Sequence, residues 1–263
     1  MEKNIKKYFP IFVLPTFLSF AVVFLIPFIL GIYLSFTEFT TVESAQWIGL
    51  ENYIKAFTED DNFLKALWFT IKFTVVSVIT INIFAFCLAL ILTKALKGTS
   101  VFRTIFFMPN LIGGIVLGYI WNLLINSILG IFGYDITYDA DFGFWGLVFL
   151  LNWQLIGYMM VIYIAGLQNI PKELTEAALI DGASSFSILR NIKIPMVMPS
   201  VTICLFLTIT NSFKLFDQNL ALTAGAPNKK TEMLALNIYN TFYLSIFFLI
   251  TNSTKSIISF GQI

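Results

Sequence analysis

Six residues in one short stretch carry the densest chemistry of this sequence: Glu176, Ala177, Ala178, Asp181, Gly182 and Ala183. Four are small and leave a low surface onto which another protein can pack closely, with the carboxylates of Glu176 and Asp181 at its edge. A second set lies inside two apolar runs: Asn152, Gln154 and Tyr158 in one, Asn211, Ser212 and Phe213 in the other. Polar groups inside a membrane span are costly, so they mark either a path for a polar solute or bonds that tie helices together. Both readings stay open for these residues. Much other chemistry is excluded. Histidine is absent, which removes the commonest general base and metal ligand and any Ser-His triad. No stretch matches the phosphate-cradling G-x-x-x-x-G-K-[ST] loop, so any nucleotide hydrolysis tied to this chain belongs to another polypeptide. Cys87 and Cys204 sit in apolar runs as small fillers, not as a disulfide framework.

The elements that position these residues are membrane helices. Of 263 residues, 58% are hydrophobic and 12% charged, whereas a soluble domain is about a quarter charged. The net charge of +1 lacks the clustered cations that a nucleic-acid partner requires. Apolar runs of about 20 residues, enough to cross ~30 Å of hydrocarbon, are expected at Ile11–Ser35, Phe73–Leu92, Ile105–Leu124, Phe144–Leu167 and Ile194–Phe213, with a weaker sixth at Met233–Ile250. The first is too long for a signal peptide and has no small-residue cleavage site after it. Lysine and arginine in connecting segments set orientation. With the N-terminus in the cytoplasm, inside segments hold Lys3, Lys6, Lys7, Lys94, Lys97, Arg103, Lys172, Arg190 and Lys193. Outside segments hold only Lys55, Lys65, Lys214, Lys229 and Lys230. The N-terminus is therefore expected inside. The acidic outer loop Thr37–Leu64 contains Trp47 and Tyr53; it is too long and too patterned for a plain connector, and its blander reading is a solvated loop with an interfacial aromatic anchor.

The cytoplasmic loop Gln168–Pro195 reads as a helix-turn-helix. Pro171 suits a first helical turn, and Glu173 through Leu179 are mostly strong helix formers. Gly182 offers the left-handed conformation that ends a helix. Ser184 or Ser185 can cap a second helix through Ile188 and Leu189. Pro195 and Pro199 are expected to kink the start of the fifth span.

Taken together, Glu176-Ala177-Ala178, Asp181-Gly182-Ala183 and Ile192-x-Ile194-Pro195 resemble the coupling-helix signature of binding-protein-dependent ABC permeases, with Ile194 where leucine is usual. Phe102-Arg103-Thr104-Ile105-Phe106-Phe107-Met108-Pro109, Gly113-Gly114 and Gly118-Tyr119-Ile120-Trp121 resemble the third span of the carbohydrate-importer branch, the maltose and glycerol-3-phosphate permeases. Gly49-Leu50-Glu51-Asn52-Tyr53 resembles its first outer loop. Phe216-Asp217, Leu222 through Pro227 and Thr231-Glu232 resemble a later outer loop, with Ala224 and Ala226 replacing glycines. The resemblance implies an all-α membrane protein, a type I ABC importer (MetI-like) bundle of about six transmembrane helices forming one permease domain over 1–263. It implies a multi-pass protein of a bacterial or archaeal cell membrane that imports sugars or oligosaccharides and is not itself an enzyme. The implied partners are a second permease subunit in a heterodimer, two ATPase subunits holding the ATP and magnesium, and an extracytoplasmic sugar-binding protein; this chain would bind no cofactor or metal. Glu176 would pair with an ATPase arginine, and sugar would meet Gln154, Tyr158, Asn211, Ser212 and Phe213.

Residues 243–263 depart from the family pattern. Polar Thr251 through Ser256 follow Tyr243–Ile250, so either the sixth span begins near Glu232 or this end is altered. The competing class is an ATP-independent secondary transporter or channel. Such proteins place paired ionisable residues at mid-membrane or carry internal repeats; no repeat is visible, and Lys72 is the one charge near a span.

Overall fold

The computed structural model describes residues 2–38, 44–94 and 98–243, with the backbone alone for residues 2–8 and 10. Glu43, Lys97, residues 244–250 of the sixth candidate span and the segment 251–263 lie outside them. The chain forms two compact units, Met1–Leu64 and Lys65–Ile263. Among the described residues, five helices are long and apolar enough to cross a membrane: Ile11–Ser35, Asp61–Leu92, Gly114–Phe132, Ala140–Gln168 and Ser185–Phe213. Residues 234–243, the start of the sixth candidate, are also helical.

In the first unit α1 (Glu2–Phe20) passes through a π-helical turn, Ala21–Leu25, into α2 (Ile26–Ser35). The wide turn falls just before Pro27, which cannot donate to the preceding turn. Strands β1 (Thr37–Glu38) and β2 (Gln46–Trp47) pair antiparallel, Thr37 opposite Trp47. Helix α3 (Glu51–Thr58) is fastened back onto the end of α2. Asn52 Nδ2 donates to the carbonyls of Ser35 (3.1 Å) and Thr37 (3.0 Å), and the Ser35 and Tyr53 hydroxyls bond at 2.7 Å. These bonds satisfy carbonyls that the helix end leaves without partners.

The second unit is built around α7 (Ala140–Gln168), buried along most of its length. Asp139 caps it, accepting from the Asp141 amide, and in the preceding loop Thr137 donates to Asp135 through both amide and hydroxyl. Those bonds hold the Asp135 carboxyl below the usual carboxylate range. Around α7 lie α4 (Asp61–Leu92), α5 (Thr99–Phe107), α6 (Gly114–Leu129), α10 (Ile194–Phe213) and α11 (Asp217–Leu222). Phe73 and Ile81 of α4 share a core with Leu147, Leu150, Leu151, Met159 and Met160 of α7. Tyr163 Oη donates to Asn82 Oδ1 (2.7 Å), and Asn82 Nδ2 donates to Thr208 Oγ1 (3.3 Å). This knot joins α4, α7 and α10. Such interhelical bonds contribute only about 0.6 kcal/mol each in a bilayer, so close packing carries more of the assembly. At Gly157 the approach is extreme: a Cβ there would lie 1.8 Å from the Phe106 carbonyl oxygen at the end of α5.

Several boundaries differ from the sequence expectation. The second span begins at Asp61 instead of Phe73. Asp61, Lys65 and Lys72 interrupt the apolar run without interrupting the helix. The third span is not continuous over Ile105–Leu124. Helix α5 ends at Phe107, a 3-10 turn spans Met108–Leu111, and Ile112 and Gly113 are extended before α6 begins. Pro109 has no amide to continue the helix, and hydropathy alone does not register that break. The fifth span begins nine residues before Ile194, since α9 (Ser185–Ile188) runs through a π-helical turn, Leu189–Lys193, into α10. Pro195 lies just after that widened turn.

Candidate functional site

Helix α8 (Lys172–Ile180) carries Glu176, Ala177 and Ala178, and the turn that ends it carries Asp181, Gly182 and Ala183. Pro171 is its N-cap, one position before the first turn. At the other end the Ala183 amide donates to the Ala178 carbonyl (2.9 Å) and the Gly182 amide to the Leu179 carbonyl (3.1 Å). These two bonds form a Schellman motif, which requires a left-handed residue between them. Gly182 supplies it with φ +79°. Of the two candidate caps for the next helix, Ser184 acts, its Oγ accepting from the Ser187 amide at 3.2 Å. Glu176, Ala177, Asp181 and Gly182 are exposed, and Ala178 and Ala183 are half-buried.

The loop also exposes side chains that the sequence did not single out: Ile180 at 86%, Phe186 at 70% and Leu179 at 59%. Three apolar side chains beside two free-standing carboxylates make a surface with a greasy centre and a charged edge, the anatomy of a protein contact. Their signal was present, since Leu179 and Ile180 are adjacent apolar residues at the end of a helix in which only Thr175 and Ala178 are half-buried. Glu176 makes no ion pair within the described residues, so its charge is free for a partner.

The polar residues of the spans are only partly brought together. Gln154 and Asn211 line one pocket of about 270 Å³ with Asn110, Lys214, Asp217 and Gln218. Gln154 Oε1 accepts from Gln218 Nε2 (2.8 Å), and Asn211 Nδ2 donates to the Leu207 carbonyl of its own helix (2.8 Å). Asn211 keeps its carbonyl oxygen and one N–H for a solute. Tyr158 is not in that wall; its ring meets Phe107 edge-on at 6.3 Å. Ser212 is buried with its hydroxyl unpartnered, Asn152 is buried with its amide oxygen unpartnered, and Phe213 is exposed. Asn110, Lys214 and Gln218 were not expected here, because they come from a helix break and from the loop after the fifth span.

Next to the pocket, Asn219 holds the loop that follows α11. Its side chain, fully buried, donates to Thr223 Oγ1 (3.0 Å) and the Thr231 carbonyl (2.8 Å) and accepts from the Met233 amide (2.9 Å). Ala224, one of the two alanines that stand in place of glycine, adopts φ +49°, where a Cβ is disfavoured. Asn219→Ala leaves a carbonyl and an amide buried without partners, at roughly 1–3 kcal/mol each. The variant is expected to unfold in detergent well below the parent, and a parental melting temperature would show that the loop holds without this bond set.

Residues 98–260 match the family described as binding-protein-dependent transport system inner membrane component, a match that runs on into the segment 243–263. The probable starch degradation products transport system permease protein AmyD of Thermoanaerobacterium thermosulfurigenes is 44% identical over 242 residues, 89% of this chain and 82% of that protein. The multiple sugar-binding transport system permease protein MsmF of Streptococcus mutans is 31% identical, covering 85% of this chain and 80% of its own. The crystal structure of a bacterial ABC transporter that imports the polysaccharide alginate superposes with TM-score 0.76 at 20% identity, over 93% of this chain and 87% of that one. With an exposed helix-turn-helix, a third span broken at Pro109, and a family match over most of its length, this chain belongs to the inner-membrane permease components of binding-protein-dependent transport systems.

Proposed function

We propose that this chain is one permease subunit of an ATP-driven importer of sugars or oligosaccharides, working with a second permease, two ATPases and an extracytoplasmic sugar-binding protein. As a member of its family it is a multi-pass, non-catalytic membrane component, and ATP hydrolysis belongs to a separate subunit. The observation that carries the reading is the exposed α8 loop, with Ile180 and Phe186 standing out beside the unpaired Glu176. A nucleotide-driven change in the ATPase can shift this chain only through contacts that differ between two states; Glu176 and Asp181 at the rim of a greasy contact supply such contacts. ATP and magnesium would sit on that partner, and this chain would bind no cofactor. Residues 1–263 would form a single permease domain in a bacterial or archaeal cell membrane.

The sugar preference follows the relatives, and the 270 Å³ pocket agrees with it in kind. Its amides and the Lys214 and Asp217 charges both donate and accept, as hydroxyl-rich solutes require. Its size lies just under the usual ligand range of about 300–1,000 Å³, so it would hold about one sugar ring at a time. Gln154 and Asn211 would contact it, with Tyr158, Ser212 and Phe213 reached by a solute moving along the spans.

The N-terminus and the α8 loop would be cytoplasmic. Ser185→Cys should then resist membrane-impermeant thiol reagents in intact cells. In vesicles holding the whole complex and its binding protein, labelled oligosaccharides should enter in an ATP-dependent manner. Ready outside labelling at position 185 would overturn the orientation, and uptake without ATP would overturn the assignment in favour of a transporter that works alone.

A further inference from the structure

The first outer loop carries a feature that the importer reading does not use. Helix α3 is amphipathic: Tyr53, Ile54 and Phe57 share one face and are 41%, 57% and 52% exposed. The opposite face carries Glu51 and Lys55, an ion pair at 2.7 Å. Just before the helix, Trp47 stacks on Phe36 at 5.4 Å and lies 6.1 Å from Tyr33, and Phe36 lies 5.5 Å from Tyr53. Four aromatic side chains therefore gather where the first span ends.

The depth of this cluster is set by its attachment. Asn52 and Tyr53 bond directly to Ser35, the last residue of α2. The span Ile11–Ser35 has 25 residues, about 37 Å of helix against ~30 Å of hydrocarbon. Its ends thus reach the headgroup level and little further. Between α2 and α3 lies an almost wholly apolar groove of about 640 Å³, walled by Gly31, Leu34, Tyr53, Ala56, Phe57 and Phe63. Gly31 lies four residues before Ser35, about 6 Å deeper, so the floor of the groove is at acyl-chain depth. Water there would face apolar walls with few groups to bond. Apolar side chains of α2 from Ile26 to Tyr33 are exposed, and Leu34 and Phe57 line the groove that follows them.

We infer that residues 46–58 form an interfacial lipid anchor, with α3 lying in the headgroup layer on its Tyr53–Ile54–Phe57 face and the groove beneath it holding a phospholipid acyl chain. Aromatic rings favour that layer because one end of each is apolar and the other is wet. The Glu51–Lys55 face is turned to water. The same helix would fix how deeply the first span sits, since α2 cannot slide without pulling this face out of the lipid or pushing its ion pair in.

The test uses the complete importer in vesicles, with Cys87→Ser removing the exposed native thiol. Single cysteines replacing Ile54, Ala56, Glu51 or Lys55 carry an environment-sensitive fluorophore. Labels at 54 and 56 are expected to shift to the blue, to lose intensity to a nitroxide near the glycerol end of the acyl chain, and to ignore iodide. Labels at 51 and 55 are expected to do the reverse. Ala56 removes no ring and keeps the test valid should Ile54→Cys disturb the fold. Iodide quenching at 54 and 56 equal to that at 51 and 55 would make this a solvated loop and overturn the inference. Shielding from both quenchers would overturn it too, assigning the face to a protein partner such as the binding protein. Nitroxide in both leaflets makes the outcome independent of the proposed topology.

Discussion

Gly182→Asp is expected to leave this chain in the membrane while abolishing substrate-stimulated ATP hydrolysis by the assembled importer. At φ +79° any residue with a Cβ is strained by roughly 1–2 kcal/mol. Nothing lies within 4 Å of the position that such a Cβ would take. The chain's own fold therefore tolerates the side chain sterically, and the damage falls on whatever packs against the outer face of the loop. The strained backbone also loosens the two bonds that orient Asp181 and Ala183. Glu176→Lys attacks the same contact by charge, and reversal at a docking rim should weaken ATPase binding roughly tenfold or more. The measurement is co-purification of the ATPase together with sugar-stimulated hydrolysis in vesicles. Normal stimulation in both variants would reduce this loop to a connector and remove the main support for the importer reading.

Gly157→Ala is expected to be the most damaging single methyl group in the bundle. Its Cβ would lie 1.8 Å from the Phe106 carbonyl oxygen, 2.2 Å from the carbonyl carbon and 2.8 Å from the Phe107 nitrogen. These are backbone atoms at a helix end, and no rotamer change relieves them. Overpacking of flexible neighbours costs about 1–3 kcal/mol; here α5 as a whole must move off α7, so roughly 3 kcal/mol or more is expected. A matched control is Gly31→Ala, also within a helix but with open space around its Cβ. There the better helix propensity of alanine, up to about 1 kcal/mol, should leave stability unchanged or raised. Unfolding midpoints of the two variants in detergent decide the matter. Equal midpoints would mean that α5 does not rest on α7 as closely as the structure places it.

The two variants also mark what was legible in the sequence. Gly182 was readable because its role is local: a glycine after a helical run, followed by serines, announces a left-handed stop and a cap through backbone chemistry alone. The five long helices were readable because hydrocarbon demands their length and composition. Gly157 was not, since nothing near it in sequence reveals that residue 106 will lie against it. The break at Pro109 was hidden for a different reason. Met108 to Gly114 remains apolar on average, and hydropathy does not distinguish a helix from a 3-10 turn. The pocket falls between these cases. Gln154 and Asn211 stand out as polar residues in spans, yet Lys214 and Asp217 read as outer loop and Gln218 carries no signal of its own. Only the turn after α10 folds them back beside α7. Tyr158, in the same helix as Gln154, turns its ring against Phe107, a contact that residue type and span do not reveal.

The unbroken helix from Ser185 to Phe213 makes the chain a lever. Its 29 residues amount to roughly 40 Å of helix, running through the π-helical turn and past Pro199. One end begins at the Ser184 cap beside the exposed loop, and the other carries Asn211 into the pocket wall. A tilt of about 10° about its midpoint moves the two tips some ~3.5 Å in opposite senses, farther than a hydrogen bond can stretch. In the proposed importer, a push at the loop would then be a displacement at the pocket, with no relay of side chains between them.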